Sequence, residues 1–121
     1  MSAVRRRLSV LFTPAEIDPV VSADRVVLVV DVLRSTSVVP VALAGGASEI
    51  HPASSVAEAR ALRERLPDAL LGGEAAGETP AGFDLGNSPL EYTPERVAGR
   101  SIVYTSTNGM PALLQIGRAH V

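Results

Sequence analysis

Three short stretches of the chain combine acidic, hydroxyl and amide side chains in patterns that predict a ligand site. "DVLRSTS" follows the aliphatic run "RVVLVV", while "LLGGE" and "TSTNGM" lie further along the chain. Hydroxyls and backbone N–H groups at the start of a helix bind anions, and a nearby arginine adds a bidentate ligand for phosphate or sulfonate. The three stretches therefore indicate a site for a small anion that carries a phosphate or sulfonate group.

The residues that we predict to bind the anion come from the first and third stretches and from a loop between them. They are Arg34, Ser35, Thr36, Asn87, Thr107, Asn108 and Gly109. A structural interpretation stays open for part of this set, because Asn87 lies in the turn-forming sequence "GNSP" and Asn108-Gly109 is a common tight-turn pair.

Three carboxylates accompany these groups, and we predict that they are metal ligands or acid–base groups: Asp31, Glu74 and Asp84. Mg²⁺ suits such a site, because it binds one or two carboxylates together with water and phosphate oxygens. Asp31 could instead cap the next turn or pair with Arg34, and Asp84 could be a turn former. The sequence does not decide which carboxylate is acid, base or metal ligand. His51, beside Pro52, is predicted to be a surface or capping residue.

The elements that must position these residues alternate between strands and helices. Predicted helices cover 35–44 and 56–66, and a final helix begins at "TNGM", whereas 75–94 is predicted to be a loop. Predicted strands lie at 7–12, 25–30, 48–53, 69–74 and 101–106.

This alternation predicts an α/β protein, a three-layer α/β/α fold with a mainly parallel or mixed sheet that is incomplete at the C-terminus. In parallel sheets ligands bind outside the carboxyl ends of the strands. Three segments of the chain, 31–36, 72–74 and 105–109, are therefore expected to meet at one edge.

Composition narrows the classes of function. The chain of 121 residues has no cysteine, and all 11 of its basic residues are arginine, so thiolate metal sites, cysteine nucleophiles and catalytic lysines are excluded. A net charge of -2 gives no basic face for nucleic acid, and no apolar run is long enough for a membrane helix. We expect a cytoplasmic protein without a nucleic-acid or membrane partner, and a homo-oligomer stays open.

The motifs "VVDVLRSTS", "LLGGE", "GFDLGNSP" followed by Glu91-Tyr92, and "TSTNGM", in this order, resemble the 2-phosphosulfolactate phosphatase family. The resemblance runs from about Leu8 to Leu114. It implies a three-layer α/β fold and a Mg²⁺-dependent hydrolase that converts 2-phospho-3-sulfolactate into sulfolactate and phosphate, a step toward coenzyme M in methanogens. The alternative from a different class is a non-catalytic module that binds small anions.

Members of that family are longer than this chain. We interpret residues 1–115 as the N-terminal part of a family domain. Residues 116–121 are predicted to be a non-native tail, because codons for them spell the start of a DNA-sequencing adapter. A parallel sheet that is cut short exposes an edge and apolar helix faces, so the chain by itself is expected to be marginally stable and inactive.

Overall fold

A computed structural model describes residues 7–117 of the chain. Five α-helices and three strands occur in this part, with short 3₁₀ turns at Pro14–Glu16 and Pro89–Glu91. In chain order they are α1 (Pro19–Ser22), α2 (Ser35–Ala44), β1 (Glu49–Ala53), α3 (Val56–Arg65), β2 (Leu70–Gly73), α4 (Pro94–Val97), β3 (Ser101–Thr105) and α5 (Gly109–Ile116).

The three strands form one sheet in the order β1-β3-β2, and both neighbours run parallel to β3. Thr105, the last residue of β3, lies opposite Ala53 of β1 and Gly73 of β2. All three strands therefore end at the same level. The predicted α/β fold with a parallel sheet is confirmed.

Helices cover both faces of this sheet because successive strand residues point to opposite sides. Ile102 and Tyr104 pack in one cluster with residues of α2 and α5, such as Val38 and Met110. Val103, between them, packs on the other face with Ala59 of α3. The result is the layering of helix, sheet and helix that the alternating sequence predicts.

Two helices begin and end close to their predicted limits for identifiable local reasons. Ser55 Oγ accepts a hydrogen bond from the Glu58 backbone N–H at 3.1 Å, which caps α3 as expected. The Glu58 carboxylate reaches one residue further back than an ideal capping box, to the Ser54 N–H. In α2 the chain tolerates Pro40 within the helix, and the helix ends at Gly45 as predicted.

The predicted strands at 7–12 and 25–30 are wrong. Both segments lack a strand in the structure, and the side chains of Val26, Leu28 and Val30 are exposed instead of covered on both faces. Their β-branched and aliphatic composition favours an extended backbone, but a strand also needs a hydrogen-bonded neighbour. No such neighbour is present among residues 7–117.

The long connection at 75–94 has the irregular character that was predicted, except for its 3₁₀ turn and the start of α4. None of the helices within residues 7–117 has the length and apolar character needed to cross a bilayer. The predicted non-native tail falls mostly on residues 118–121, which lie outside the described residues, and its origin stays a prediction.

Candidate functional site

Glu74 links the carboxyl ends of β2 and β3. Its Oε1 accepts a hydrogen bond from the Thr107 backbone N–H at 2.6 Å, and its Oε2 accepts one from Thr107 Oγ1 at 2.8 Å. The Gly77 N–H also donates to Oε2, at 2.7 Å. The Glu74 residue is 8 % exposed, and these three bonds satisfy its buried carboxylate. Two of the predicted stretches are thus joined directly.

Gly73 makes this link sterically possible. It has a φ of 119°, a conformation that L side chains rarely adopt, and a β-carbon there would collide with the carbonyl of Thr105 on the neighbouring strand. Only glycine lets the two strand ends approach closely enough for the following Glu74 to reach Thr107. The second glycine of "LLGGE" is therefore required by geometry.

Asp31 is held at the start of α2 by two hydroxyls. Its Oδ2 accepts a hydrogen bond from Ser35 Oγ at 2.5 Å. Thr36 Oγ1 accepts from the Asp31 N–H at 2.9 Å and donates to the Asp31 carbonyl at 2.8 Å. The turn between Asp31 and α2 is thereby fixed by its own side chains. The Thr36 hydroxyl has this structural task in addition to its predicted role in binding the anion.

The loop at Asp31 meets the start of α5 at the contact between Ser35 and Gly109. Both residues are buried, and a β-carbon at Gly109 would clash with Ser35 Oγ and lie 2.9 Å from Ser35 Cβ. Ser106 Oγ completes this contact and accepts a hydrogen bond from the Met110 N–H at 3.0 Å. The first and third stretches are therefore in van der Waals contact, although no strand precedes the first stretch within residues 7–117.

Electrostatic coupling indicates that Arg34 faces the same site. Partial burial by itself would raise the pKa of Glu74, but the hydrogen bonds from Thr107 and Gly77 outweigh it, and the charge of Arg34 lowers the pKa further. The net effect is a pKa below the ordinary value, so Glu74 is ionised at neutral pH. In residues 7–117 Arg34 forms no ion pair, which leaves its guanidinium available to an anion.

Tyr104 is a site residue that the sequence analysis missed. Its hydroxyl is buried and donates to Oδ1 of the buried Asn87, which brings this predicted residue to the same region. Burial raises the pKa of Tyr104, and the negative charges of Glu74 and Asp31 raise it further. The signal in the sequence was a tyrosine in a strand predicted to be buried, because a buried tyrosine hydroxyl needs a polar partner.

Asp84 is placed differently from the other two carboxylates. Its Oδ2 accepts a hydrogen bond from the Leu71 N–H at 2.8 Å, on the edge of β2 that faces away from β3. The Asp84 and Leu85 N–H groups both donate to the Leu71 carbonyl, at 2.9 and 3.0 Å. Asp84 therefore binds the loop to the sheet edge. Its predicted role in catalysis or metal binding stays a prediction.

The remaining predicted residues lie at the start of α5 and in β1. Thr107 and Asn108 are exposed at the start of α5, where Asn108 presents its side chain to solvent. His51 lies half-buried in β1 with Nε2 3.1 Å from Glu49 Oε2. An apolar hollow between β1, α2 and α5, which includes Val39, contains none of the predicted site residues.

A metal site built only from protein side chains is not present in the described part of the chain. No three residues among its histidines, aspartates and glutamates converge as ligands for an ion. The oxygen atoms of Asp31 and Glu74 still have the chemistry that a hard cation prefers, and Mg²⁺ commonly uses only one or two carboxylates. The donor set fits Mg²⁺ provided that water and a phosphate group supply the other ligands.

The sequence that forms this arrangement matches a known family. The sequence model of 2-phosphosulpholactate phosphatase matches residues 11–121. The chain belongs to this family. The match confirms the resemblance carried by the four motifs.

Individual relatives agree with the family match. A protein of Carboxydothermus hydrogenoformans named probable 2-phosphosulfolactate phosphatase is 46% identical over 107 residues, which cover 88% of this chain and 43% of that protein. Proteins of the same name from Thermotoga petrophila and Deinococcus radiodurans are 46% and 50% identical, over 76% and 69% of this chain and 40% and 35% of their own length. The chain thus spans less than half the length of these relatives.

Proposed function

We propose that this chain contributes the anion-binding part of a Mg²⁺-dependent phosphate-monoester hydrolase that releases phosphate from 2-phospho-3-sulfolactate. The observation that carries the proposal is the convergence of Asp31, Arg34 and Ser35 with Glu74 and the Thr107 segment at the carboxyl ends of the strands. The names of the relatives support the choice of substrate. The place of this reaction in coenzyme M synthesis stays a prediction from the resemblance.

Arg34 and the start of α5 are the groups that we propose to bind the dianion. The guanidinium supplies charge and two parallel N–H donors. At the start of α5 the Met110 N–H is bonded to Ser106 Oγ and Pro111 has no N–H, so the Gly109 N–H is the backbone donor that we propose for the anion. Asn108 lies exposed at that helix start, where its amide is placed to contact a phosphate or sulfonate oxygen. Two anionic groups on one substrate would explain why the chain provides donors on two segments.

The two converging carboxylates have different chemical capacities. Glu74 accepts three hydrogen bonds and has a lowered pKa, so it is a weak base and serves to hold charge and position Thr107. Asp31 accepts one bond from Ser35 through Oδ2, and we assign it as the group that binds the cation or takes a proton from water. Asp31 and Glu74 would hold Mg²⁺, which supplies charge neutralisation for the phosphate. Hydrolysis adds water across the P–O ester bond, so the alcohol leaves with a proton.

The test uses a family-length chimera, in which residues 11–115 of this chain replace the matched region of the Carboxydothermus hydrogenoformans relative. We expect phosphate release from 2-phospho-3-sulfolactate that requires Mg²⁺ and stops when EDTA is added. Loss of an acid–base group typically costs a factor of about 10²–10⁴, so Asp31→Asn should lower kcat by at least about 10²-fold. Asp24→Asn, a matched change at an exposed aspartate outside the site, should leave kcat unchanged.

An unchanged kcat in Asp31→Asn would contradict the assignment of Asp31. A folded chimera without Mg²⁺-dependent phosphate release would contradict the proposed reaction.

A non-catalytic module that binds small anions is the second candidate. The observation in its favour is that each of the three predicted carboxylates accepts a hydrogen bond within the chain: Asp31 from Ser35, Glu74 from Thr107, and Asp84 from Leu71. Such bonds are what structural caps make. Calorimetric binding of sulfolactate or phosphate without Mg²⁺, together with absence of turnover, would favour this candidate.

A further inference from the structure

The segment before Asp31 has one covered face and one open face. Val26, Leu28 and Val30 are 92 %, 81 % and 76 % exposed, whereas Val27 and Val29, between them, are half-buried. Alternation with a period of two is the pattern of a strand with one face against a protein. We refer to Val26, Leu28 and Val30 as the apolar strip.

The apolar strip is unusual for a surface that remains in water. Single exposed aliphatic residues are common, but three branched side chains in a row along one extended segment form a continuous apolar patch. The backbone of this segment also lacks a strand partner within residues 7–117. Its N–H and C=O groups are therefore suited to a neighbouring strand, and its exposed side chains to a layer packed on that face.

We propose that the apolar strip is the docking surface for the part of the family-length polypeptide that lies outside the matched region, and that residues 25–30 become a strand when this part is present. Two observations identify this occupant. The matched region is 43% of the Carboxydothermus hydrogenoformans relative, so more than half of that protein is available to cover the strip. The strip also leads directly into Asp31, so a strand here would fix the first segment of the candidate site.

This proposal concerns assembly and goes beyond the proposed reaction. Docking would remove the Leu and Val side chains of the strip from water, so a charge in the middle of the strip should strongly weaken docking. If Leu28 instead stays in water in the family-length polypeptide, a charge at this position should leave docking unchanged. Leu90 offers a matched control, because it is also a leucine that is exposed, at 87 %, and lies outside the strip.

The first measurement is hydrogen–deuterium exchange of the amides from Val26 to Val30, in the chain alone and in the family-length chimera. We expect these amides to exchange at least about 100-fold more slowly in the chimera, because strand amides open only with larger unfolding events. Equal exchange rates in the two proteins would overturn the proposal. The measurement needs no substrate, so a failed phosphatase assay would not affect its interpretation.

The second measurement tests the side chains and keeps the proposal falsifiable where a variant chimera fails to fold. The chain and the separately expressed remainder of the relative are mixed and analysed by light scattering. We expect a one-to-one complex with wild type and with Leu90→Glu, and at least about a tenfold weaker complex with Leu28→Glu. No complex with wild type, or equal complexes with both variants, would overturn the proposal. A dimer of the chain alone that Leu28→Glu disrupts would instead identify a second copy as the occupant.

Discussion

Replacing Glu74 with glutamine removes the charge that joins the ends of β2 and β3 while keeping the size of the side chain. Glutamine has one carbonyl oxygen, whereas the two carboxylate oxygens accept from the Thr107 N–H at one side and the Gly77 N–H at the other. In either orientation of the amide, its NH₂ group faces one of these N–H donors. One backbone N–H therefore loses its acceptor.

The expected cost follows from these contacts. A hydrogen bond to a charged group contributes about 1.5–3 kcal/mol to stability, so Glu74→Gln should lower the free energy of unfolding by about 2 kcal/mol. With an m-value of about 1–3 kcal/mol/M in urea, the unfolding midpoint of the family-length chimera falls by roughly 1 M. Circular dichroism gives the midpoint. Glu78→Gln is the control, because Glu78 is an exposed carboxylate in the same loop.

The pH dependence gives the same prediction a second readout. Partial burial by itself would raise the pKa of Glu74, but the hydrogen bonds from Thr107 and Gly77 outweigh it and lower the pKa in the folded state from its ordinary value of about 4.5. The ionised group therefore stabilises the fold fully above the unfolded-state pKa, and this contribution is lost as the pH falls below about 4.5 and through the folded-state pKa. The stability gap between wild type and Glu74→Gln should shrink over this acidic range. A gap equal to that of Glu78→Gln at pH 7, or one that is constant with pH, would refute the reasoning.

Three further predictions concern neighbouring contacts. Gly109→Ala should lower stability by about 1–3 kcal/mol, because its β-carbon would clash with the buried Ser35; an unchanged thermal midpoint would contradict this. Asp84→Asn should cost less than about 1 kcal/mol because its amide oxygen can still accept from Leu71, whereas Asp84→Ala should cost about 1–3 kcal/mol. If a family-length chimera with Asp84→Asn folds but no longer releases phosphate, Asp84 takes part in the reaction in addition to binding Leu71. Burial raises the pKa of Tyr92, so its neutral form stabilises the fold below a pH of about 10, and this contribution is lost at higher pH. In an alkaline titration we expect tyrosinate absorbance to appear together with the loss of the circular dichroism signal. Tyrosinate absorbance that appears while the circular dichroism signal is still unchanged would contradict the prediction.

The meeting of Glu74 with Thr107 could be predicted because it depends on a general property of parallel sheets. Segments that follow parallel strands meet at one edge, and this rule correctly placed Glu74 beside Thr107. The helix limits were readable for a similar reason: Ser55 and Gly45 are local signals that act within a few residues. Predictions based on short-range chemistry or on strand direction therefore succeeded.

Predictions failed where the outcome depends on partners that are distant in the chain. The aliphatic composition of 25–30 indicates an extended segment but cannot say whether a neighbouring strand exists, and none pairs with it in residues 7–117. Asp84 shows a related limit, because a carboxylate in a loop has the same sequence signal whether it binds a cation or the Leu71 N–H. Tyr104 was missed because its partner, Asn87, is brought to it only by the fold.

The central claim is that three segments of the chain form one binding site. The most direct test is a titration of the isotope-labelled family-length chimera with inorganic phosphate in the presence of Mg²⁺, followed by NMR amide shifts. We predict that amides near Arg34, Glu74 and Thr107 shift together and fit a single dissociation constant. Shifts confined to one of these segments, or different dissociation constants for each, would contradict the claim.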